Sequence, residues 1–209
     1  MENEENVMRE NRIKKLTSLA ESKFLSLYDA QYENKAGKEK HWIIASRKNF
    51  ETLKAQYSGE KEERIDAVII AALHKETNSL VLIKQFRIPL NDYVYELPAG
   101  LLDADESMET AVRRELKEET GLSLIDINYN RSKRKVYISA GMTDESVAMV
   151  YCTCEGTLSN QYLEADEDID ATLVSQQEAK EFLKKDVKMD IKIHMILESF
   201  ALLGEELFK

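Results

Sequence analysis

Residues Gly100 to Leu122 read GLLDADESMETAVRRELKEETGL, and the fold turns on how this stretch is read. Ser107 is the residue type that caps a helix N-terminus. No Gly or Pro follows until Gly121, which stands where a C-terminal cap belongs. At about 100° per residue, Met108, Ala111, Val112 and Leu116 fall on one face. Glu115 and Glu119 fall in the middle of that same face, with Glu118 at its edge, while Thr110, Arg113, Arg114 and Lys117 furnish the opposite one. A helix that needed only to pack would not carry carboxylates in its apolar stripe, because unpaired buried charge is costly and like charges four residues apart repel. Clustered glutamates call for a positive counterpart. An all-oxygen ligand set favours a hard divalent cation, Mg²⁺ or Mn²⁺.

Outward from this helix the chain alternates strand-like and helical patterns. Upstream, Ala67 to His74 is nearly continuous in apolar residues, as in a strand buried on both faces. Thr77-Asn78 marks a turn, Ser79 to Arg87 a second strand, and Asp92 to Leu97 a third, stopped by Pro98. Downstream come a strand near Ser123 to Asn128, a polar RSKRK run, and a strand from Ser146 to Cys154. A hydrophilic acidic loop spans Gly156 to Asp170, with a short strand at Thr172 to Val174. Ser175 and Glu178 form a capping-box signature opening a helix to about Lys185, and a last helix runs from about Asp190 to Leu203.

Toward the N-terminus, residues 1 to about 10 are charged and read as frayed, and Asn11 to Ser22 has a weak helical spacing in Ile13, Leu16 and Leu19. Lys23 to Lys48 reads as two strands about a turn near Lys35 to Gly37. Residues 47 to 63 read as a helix or loop spaced on Phe50, Leu53 and Tyr57. The expected organisation is a β-rich appendage over residues 1–63 and a main α+β domain over 64–209, a mixed sheet between helices.

Composition narrows the function classes. With 209 residues the chain suits one domain with an appendage. A net charge of -10 argues against a nucleic-acid partner, since phosphate neutralisation needs an excess of Lys and Arg. No apolar run approaches a membrane span, and the acidic opening MENEENVMRE is unlike a signal peptide, so the chain reads as cytoplasmic. Cys152 and Cys154, two apart on a strand, point to one face and read as core thiols.

The spacing of Gly100, Glu106, Arg114, Glu115, Leu116, Glu118, Glu119, Gly121 and Leu122 resembles the Nudix box at every defined position. IKQFR (Ile83 to Arg87), ELPAG (Glu96 to Gly100), ISAGMTDE (Ile138 to Glu145) and DEDID (Asp166 to Asp170) are similar to segments of that family's ADP-ribose pyrophosphatase branch. The resemblance implies an α/β/α sandwich and metal-dependent hydrolysis of the pyrophosphate bond in a nucleoside-diphosphate sugar. It also implies a homodimer formed through the N-terminal appendage. Where the branch carries Ser-Pro-Gly, this chain has Ser139-Ala140-Gly141, which leaves UDP-glucose and GDP-mannose beside ADP-ribose as substrates.

By that resemblance Glu115 and Glu119 are the principal metal ligands, Glu118 shares a metal, and the Ala99 carbonyl completes a site. The acidic loop supplies Glu167 as a further ligand or base, with Glu164 as the alternate. Glu106 and Arg114 read as structural, the arginine pairing with a carboxylate to hold the loop to the helix. Arg87 is a phosphate-binding candidate, and Glu96 either orients Arg114 or touches substrate. Trp42, Tyr28 and Phe24 are candidates to stack on a base, against a role in packing the hairpin. Two competing readings are a nucleotide-sugar sensor without catalysis and a hydrolase of oxidised nucleoside triphosphates. Retention of every box carboxylate opposes the first, and the appendage opposes the second.

Overall fold

The computed structural model describes residues 12–165 and 167–209; the expectation for residues 1 to 10, and Asp166 of the DEDID run, lie outside them. The chain forms two compact units. One comprises the residues up to Arg64 together with Tyr137–Ser146; the other comprises Ile65–Val136 and Val147–Lys209. The ISAGMTDE stretch, assigned from sequence to the main domain, therefore groups with the N-terminal unit.

The N-terminal unit holds an antiparallel sheet of β1 (Ile13–Glu21), β2 (Ser26–Glu33) and β3 (Glu39–Ser46), in that order, and helix α1 (Phe50–Tyr57). The helical expectation for Asn11 to Ser22 is overturned, because residues 13–21 pair with β2. The pairing slips between Ile13 and Lys15 and again between Ser18 and Ala20. The first slip inserts a residue between Ile13 and Leu16, so these two half-buried positions stand three apart as in a helix, while Leu19 is exposed. The β2–β3 hairpin is as expected, with its turn held by Asn34 Oδ1, which accepts from the Ala36 and Lys38 amides. Ser26, Tyr28 and Ala30 form the buried side of β2, and Leu25 and Leu27 are exposed. Asn49 caps α1 by accepting from the Thr52 amide, and Leu53 is fully buried.

Residues 137–146 are tied to β3 within this unit. The Ala45 amide donates to the Met142 carbonyl (2.9 Å) and Trp42 Nε1 donates to the Gly141 carbonyl (3.1 Å). Ion pairs join Lys48 to Asp144 (2.8 Å) and Arg47 to Glu145 (2.5 Å). Burial and the neighbouring Asp144 and Glu63 carboxylates push the Tyr57 hydroxyl up to about 12.

The second unit is built on a mixed eight-stranded sheet of β4 (Ala67–His74), β5 (Ser79–Arg87), β6 (Asp92–Glu96), β7 (Ala99–Leu101), β8 (Ser123–Ile127), β9 (Lys133–Tyr137), β10 (Ser146–Glu155) and β11 (Ile169–Val174). The main path is β11-β5-β4-β10-β8. On its flanks β6 pairs with β5, β7 with β4 and β9 with β10. β4 is buried at every position and pairs in parallel with β10, as its continuous apolar run predicts. β9 begins inside the polar RSKRK run, whose consecutive charges carry no apolar strand signal.

The pleat of β4 divides the core in two. Ala67, Ile69, Ala71 and Leu73 pack with Ile193, Leu197 and Phe200 of helix α4 (Ile191–Leu203) and with Ala179 and Phe182 of α3 (Gln176–Phe182). Val68, Ile70 and Ala72 pack with Ala111, Val112 and Leu116 of α2 (Met108–Thr120). Helices thus cover both faces of the sheet, the three-layered arrangement expected. α3 carries the full capping box of Ser175 and Glu178 and ends at Phe182, short of Lys185. Cys152 and Cys154 are free and buried beside α2, and burial pushes both thiols up, Cys154 to about 12. Among the described residues no helix is long and apolar enough to cross a membrane.

Candidate active site

Helix α2 begins and ends as its sequence dictates. Ser107 Oγ accepts from the Thr110 amide, and Gly121 adopts the left-handed conformation (φ 75°) that closes the helix. Its apolar stripe seats on the sheet, which carries the glutamates in that stripe inward. Glu115 is 7% exposed and Glu119 5%.

Arg114 is the positive counterpart that the clustered glutamates require. Its Nε and Nη2 grip Glu106 through both carboxylate oxygens (3.0 and 2.9 Å), and Nη2 also donates to the Leu101 carbonyl (2.9 Å). Its Nη1 donates to Glu115 (2.6 Å) and Glu118 (3.1 Å). The hydrogen bonds from Arg114 hold the Glu106 carboxyl below its ordinary range, and Glu106 in turn accepts from the Asp103 amide. A planar guanidinium can grip one carboxylate through two parallel bonds while its remaining N–H groups reach others, a geometry that a point-like ammonium cannot match. The carboxylate expected to tie Arg114 to the loop is Glu106, and Arg114 also bonds Glu115 and Glu118.

Glu119 accepts from the Ala99 amide (3.0 Å). Burial raises its proton affinity well above the carboxylate range; the Ala99 bond opposes this, the charges of Glu115 and Glu167 reinforce it, and Arg87 opposes it. Glu115 is raised chiefly by burial, against the pull of Arg114, and again with a contribution from Glu167. The structure therefore brings Glu115, Glu119, Glu167 and Arg87 into one electrostatic neighbourhood, with Glu118 at its more exposed edge. Glu164 lies in the same loop as Glu167. Its amide donates to Glu167 Oε2 (2.9 Å), while the Glu167 amide donates to the Glu164 carbonyl (3.1 Å).

Arg87 and Glu96 answer a choice left open by the sequence. Arg87 Nε and Nη2 donate to the two Glu96 oxygens at 2.6 and 2.8 Å, and Glu96 is 7% exposed. Glu96 thus orients Arg87 and not Arg114. The signal for this pair lies in the β5–β6 register, where Ile83 opposes Glu96 and Arg87 opposes Asp92, so that both side chains share a face.

Tyr28 and Trp42 belong to the N-terminal unit. Tyr28 is 0% exposed, its hydroxyl donates to the Lys48 carbonyl, and its ring lies 6.1 Å from that of Phe50. It packs the core of its unit and offers no free face to a base. Trp42 is 52% exposed and Phe24 64%.

The donor set suits a divalent cation: oxygen ligands only, two of them buried and crowded by like charge. Gly100 strengthens the fit, since a side chain there would occupy the space of the Glu115 carboxylate. Among the described residues no three acidic, His or Cys side chains are drawn together at ligating distances. Arg114 draws Glu115 and Glu118 to itself, and Glu119 turns to the Ala99 amide.

Comparison with known proteins follows the same lines. The protein-family model described as the NUDIX domain matches residues 63–194. An uncharacterised Nudix hydrolase of Schizosaccharomyces pombe is 29% identical over 191 residues, 87% of this chain and 86% of the relative. The ADP-ribose pyrophosphatase of Saccharomyces cerevisiae is 32% identical over 135 residues, 63% of this chain and 53% of the relative, so the match spans about half that protein's length. A solved structure described as an ADP compounds hydrolase superposes with a TM-score of 0.66 at 19% identity. The superposition covers 92% of this chain and 94% of that one, and it bears on the fold alone.

Proposed function

This chain belongs to the Nudix family, and from that premise we propose that it hydrolyses the pyrophosphate bond of ADP-ribose or a related nucleoside-diphosphate sugar. Water adds to one phosphorus, the bridging oxygen leaves with the other, and the products are a nucleoside monophosphate and a sugar phosphate. The observation that carries this reading is the pair of buried carboxylates, Glu115 and Glu119, on a helix whose spacing matches the Nudix box. The ADP-ribose preference rests on the IKQFR and ELPAG segments and on the relative named ADP-ribose pyrophosphatase.

Glu115, Glu118 and Glu119, with the Ala99 carbonyl and Glu167, would hold Mg²⁺ or Mn²⁺. When bound, the cation supplies charge neutralisation at the phosphoryl oxygens and acidifies a water. The protein's own groups do the positioning. Arg114 holds Glu106, Glu115 and Glu118 in a fixed fan, and the Ala99 amide holds Glu119. Arg87, pre-oriented by Glu96, places a fixed positive charge beside Glu119, where a substrate phosphate can share it. Glu167 is the candidate base, with Glu164 the alternate on the same loop. Two copies would pair through the N-terminal unit, whose sheet exposes Leu27 and Ile43.

The test is phosphatase-coupled phosphate release with Mg²⁺ across ADP-ribose, UDP-glucose, GDP-mannose and 8-oxo-dGTP. Preference for ADP-ribose supports the reading in full. Preference for another sugar nucleotide makes Ala140 a specificity residue. Tight binding without turnover of any of them would sink it in favour of the sensor.

A further inference from the structure

We propose that Tyr93 is a positioning residue for Glu167: its hydroxyl anchors the chain at Asp168 and so sets how Glu167 stands toward Glu115 and Glu119. The inference rests on the reading of Glu167 as part of the hydrolytic site.

Tyr93 lies on β6, on the face opposite Val94 and Glu96. Its ring is fixed on two sides. Phe86, its cross-strand partner on β5, packs edge-on with ring centroids 5.3 Å apart, and Lys84 Nζ stands 4.8 Å over the ring. The hydroxyl of this fixed ring donates to Asp168 Oδ2 at 2.5 Å. The Asp168 carbonyl accepts from the Phe86 amide at 3.1 Å, and β11 begins at the next residue, with Ile169 opposite Gln85. Asp168 is thus held through side chain and backbone by two neighbouring residues of one hairpin.

Glu167 is the residue immediately before this double anchor. On its other side the loop is closed by the reciprocal Glu164–Glu167 bonds. Its charge acts on both Glu115 and Glu119. An exposed aspartate needs no partner for its own sake, since water serves it as well. What the Tyr93 bond adds is direction: it removes freedom from the backbone that carries Glu167. Catalytic groups respond steeply to such small losses of placement.

The experiment compares wild type, Tyr93→Phe, Asp168→Ala, Glu167→Gln and the Tyr93→Phe/Glu167→Gln double variant. The first readout is Mn²⁺ affinity by electron paramagnetic resonance, with no substrate present. The second is kcat and KM for ADP-ribose with Mg²⁺. Glu167→Gln is expected to weaken Mn²⁺ binding. Tyr93→Phe and Asp168→Ala should each weaken it about fivefold, the scale of one hydrogen bond, and Tyr93→Phe should add nothing in the Glu167→Gln background. In turnover, kcat should fall with KM within about twofold. Asp168→Ala removes the acceptor of the same bond from an exposed residue and so leaves the core untouched.

Wild-type Mn²⁺ affinity in Tyr93→Phe would overturn the inference, and so would losses that multiply with those of Glu167→Gln. An unchanged affinity in Glu167→Gln would overturn it as well, because Glu167 would then lie outside the metal's surroundings. A wild-type protein that cleaves no nucleotide sugar would instead sink the hydrolase reading, while the Mn²⁺ comparison still decides the role of Tyr93.

Discussion

The Glu115 carboxylate lies in the space that a side chain at residue 100 would fill: a β-carbon on Gly100 would meet Glu115 Oε1 at 1.8 Å. Gly100 cannot retreat, because β7 pairs it with Val68. In Gly100→Ala the glutamate must yield, and as the end of a flexible side chain it can. The expected result is a folded protein whose melting temperature falls by a few degrees, roughly 1 kcal/mol, and whose kcat/KM drops about a hundredfold or more. Calorimetry and the coupled assay measure the two. Near-normal activity would show that Glu115 tolerates displacement and is not a ligand.

Arg114 serves Glu106, Glu115, Glu118 and the Leu101 carbonyl, so Arg114→Lys should not be conservative. An ammonium cannot reproduce the fork to Glu106 and the reach to Glu115 together. We expect a loss of about 2 kcal/mol in EDTA, less than for a fully buried pair because the arginine is partly exposed. Mg²⁺ should recover part of that loss by binding the same carboxylates. Equal destabilisation with and without Mg²⁺ would count against a shared set.

Metal linkage can be read without substrate. A cation that binds only the folded protein at a hundred times its Kd stabilises by about 2.7 kcal/mol. Wild type should melt higher in Mg²⁺ than in EDTA, and Glu119→Gln should lose that difference together with turnover. A full metal shift and full activity in Glu119→Gln would refute the ligand assignment.

Lys48→Met tests the tie between residues 137–146 and the N-terminal hairpin. Lys48 Nζ pairs with Asp144 Oδ2 at 2.8 Å, and Asp144 Oδ1 is buried with no hydrogen-bond partner among the described residues. Removing the ammonium strands a largely buried carboxylate, at about 3 kcal/mol. Amide exchange in Ile138–Glu145 should accelerate first. Unchanged protection there would show that backbone bonds such as Ala45 to Met142 suffice.

Ala140→Pro addresses the residue that departs from the branch pattern. Ala140 follows Ser139 in a turn closed by the Met142 amide on the Ser139 carbonyl (2.8 Å), the position where proline is favoured. Stability should rise by a few tenths of a kcal/mol up to about 1, by restricting the unfolded chain. If this turn governs substrate choice, the ratio of ADP-ribose to GDP-mannose turnover should change in the same variant. A marked loss of stability would mean that the turn cannot accept the ring.

Sequence alone determined helix α2, from its Ser107 cap to its Gly121 close, and the inward glutamates at 115 and 119, because caps and helical faces are set within a few residues. It also determined β4 as a central strand, since a run apolar at every position can be buried only on both sides. Tertiary structure decided what depends on partners far apart in the chain. β1 is a strand because β2 pairs with it, and the slip between Ile13 and Lys15 sets Ile13 and Leu16 at a helix-like spacing. Glu96 belongs to Arg87 because the β5–β6 register puts them on one face. Residues 137–146 group with the N-terminal unit because β3 and the Lys48 and Arg47 ammonium and guanidinium groups hold them. Tyr93 meets Asp168 only once β11 has docked on β5. Hydrophobic period and capping act over a few residues and are written along the chain. Register and ion pairing join residues from nine positions apart, as in Arg87 and Glu96, to 98, as in Arg47 and Glu145, and only the folded chain specifies them.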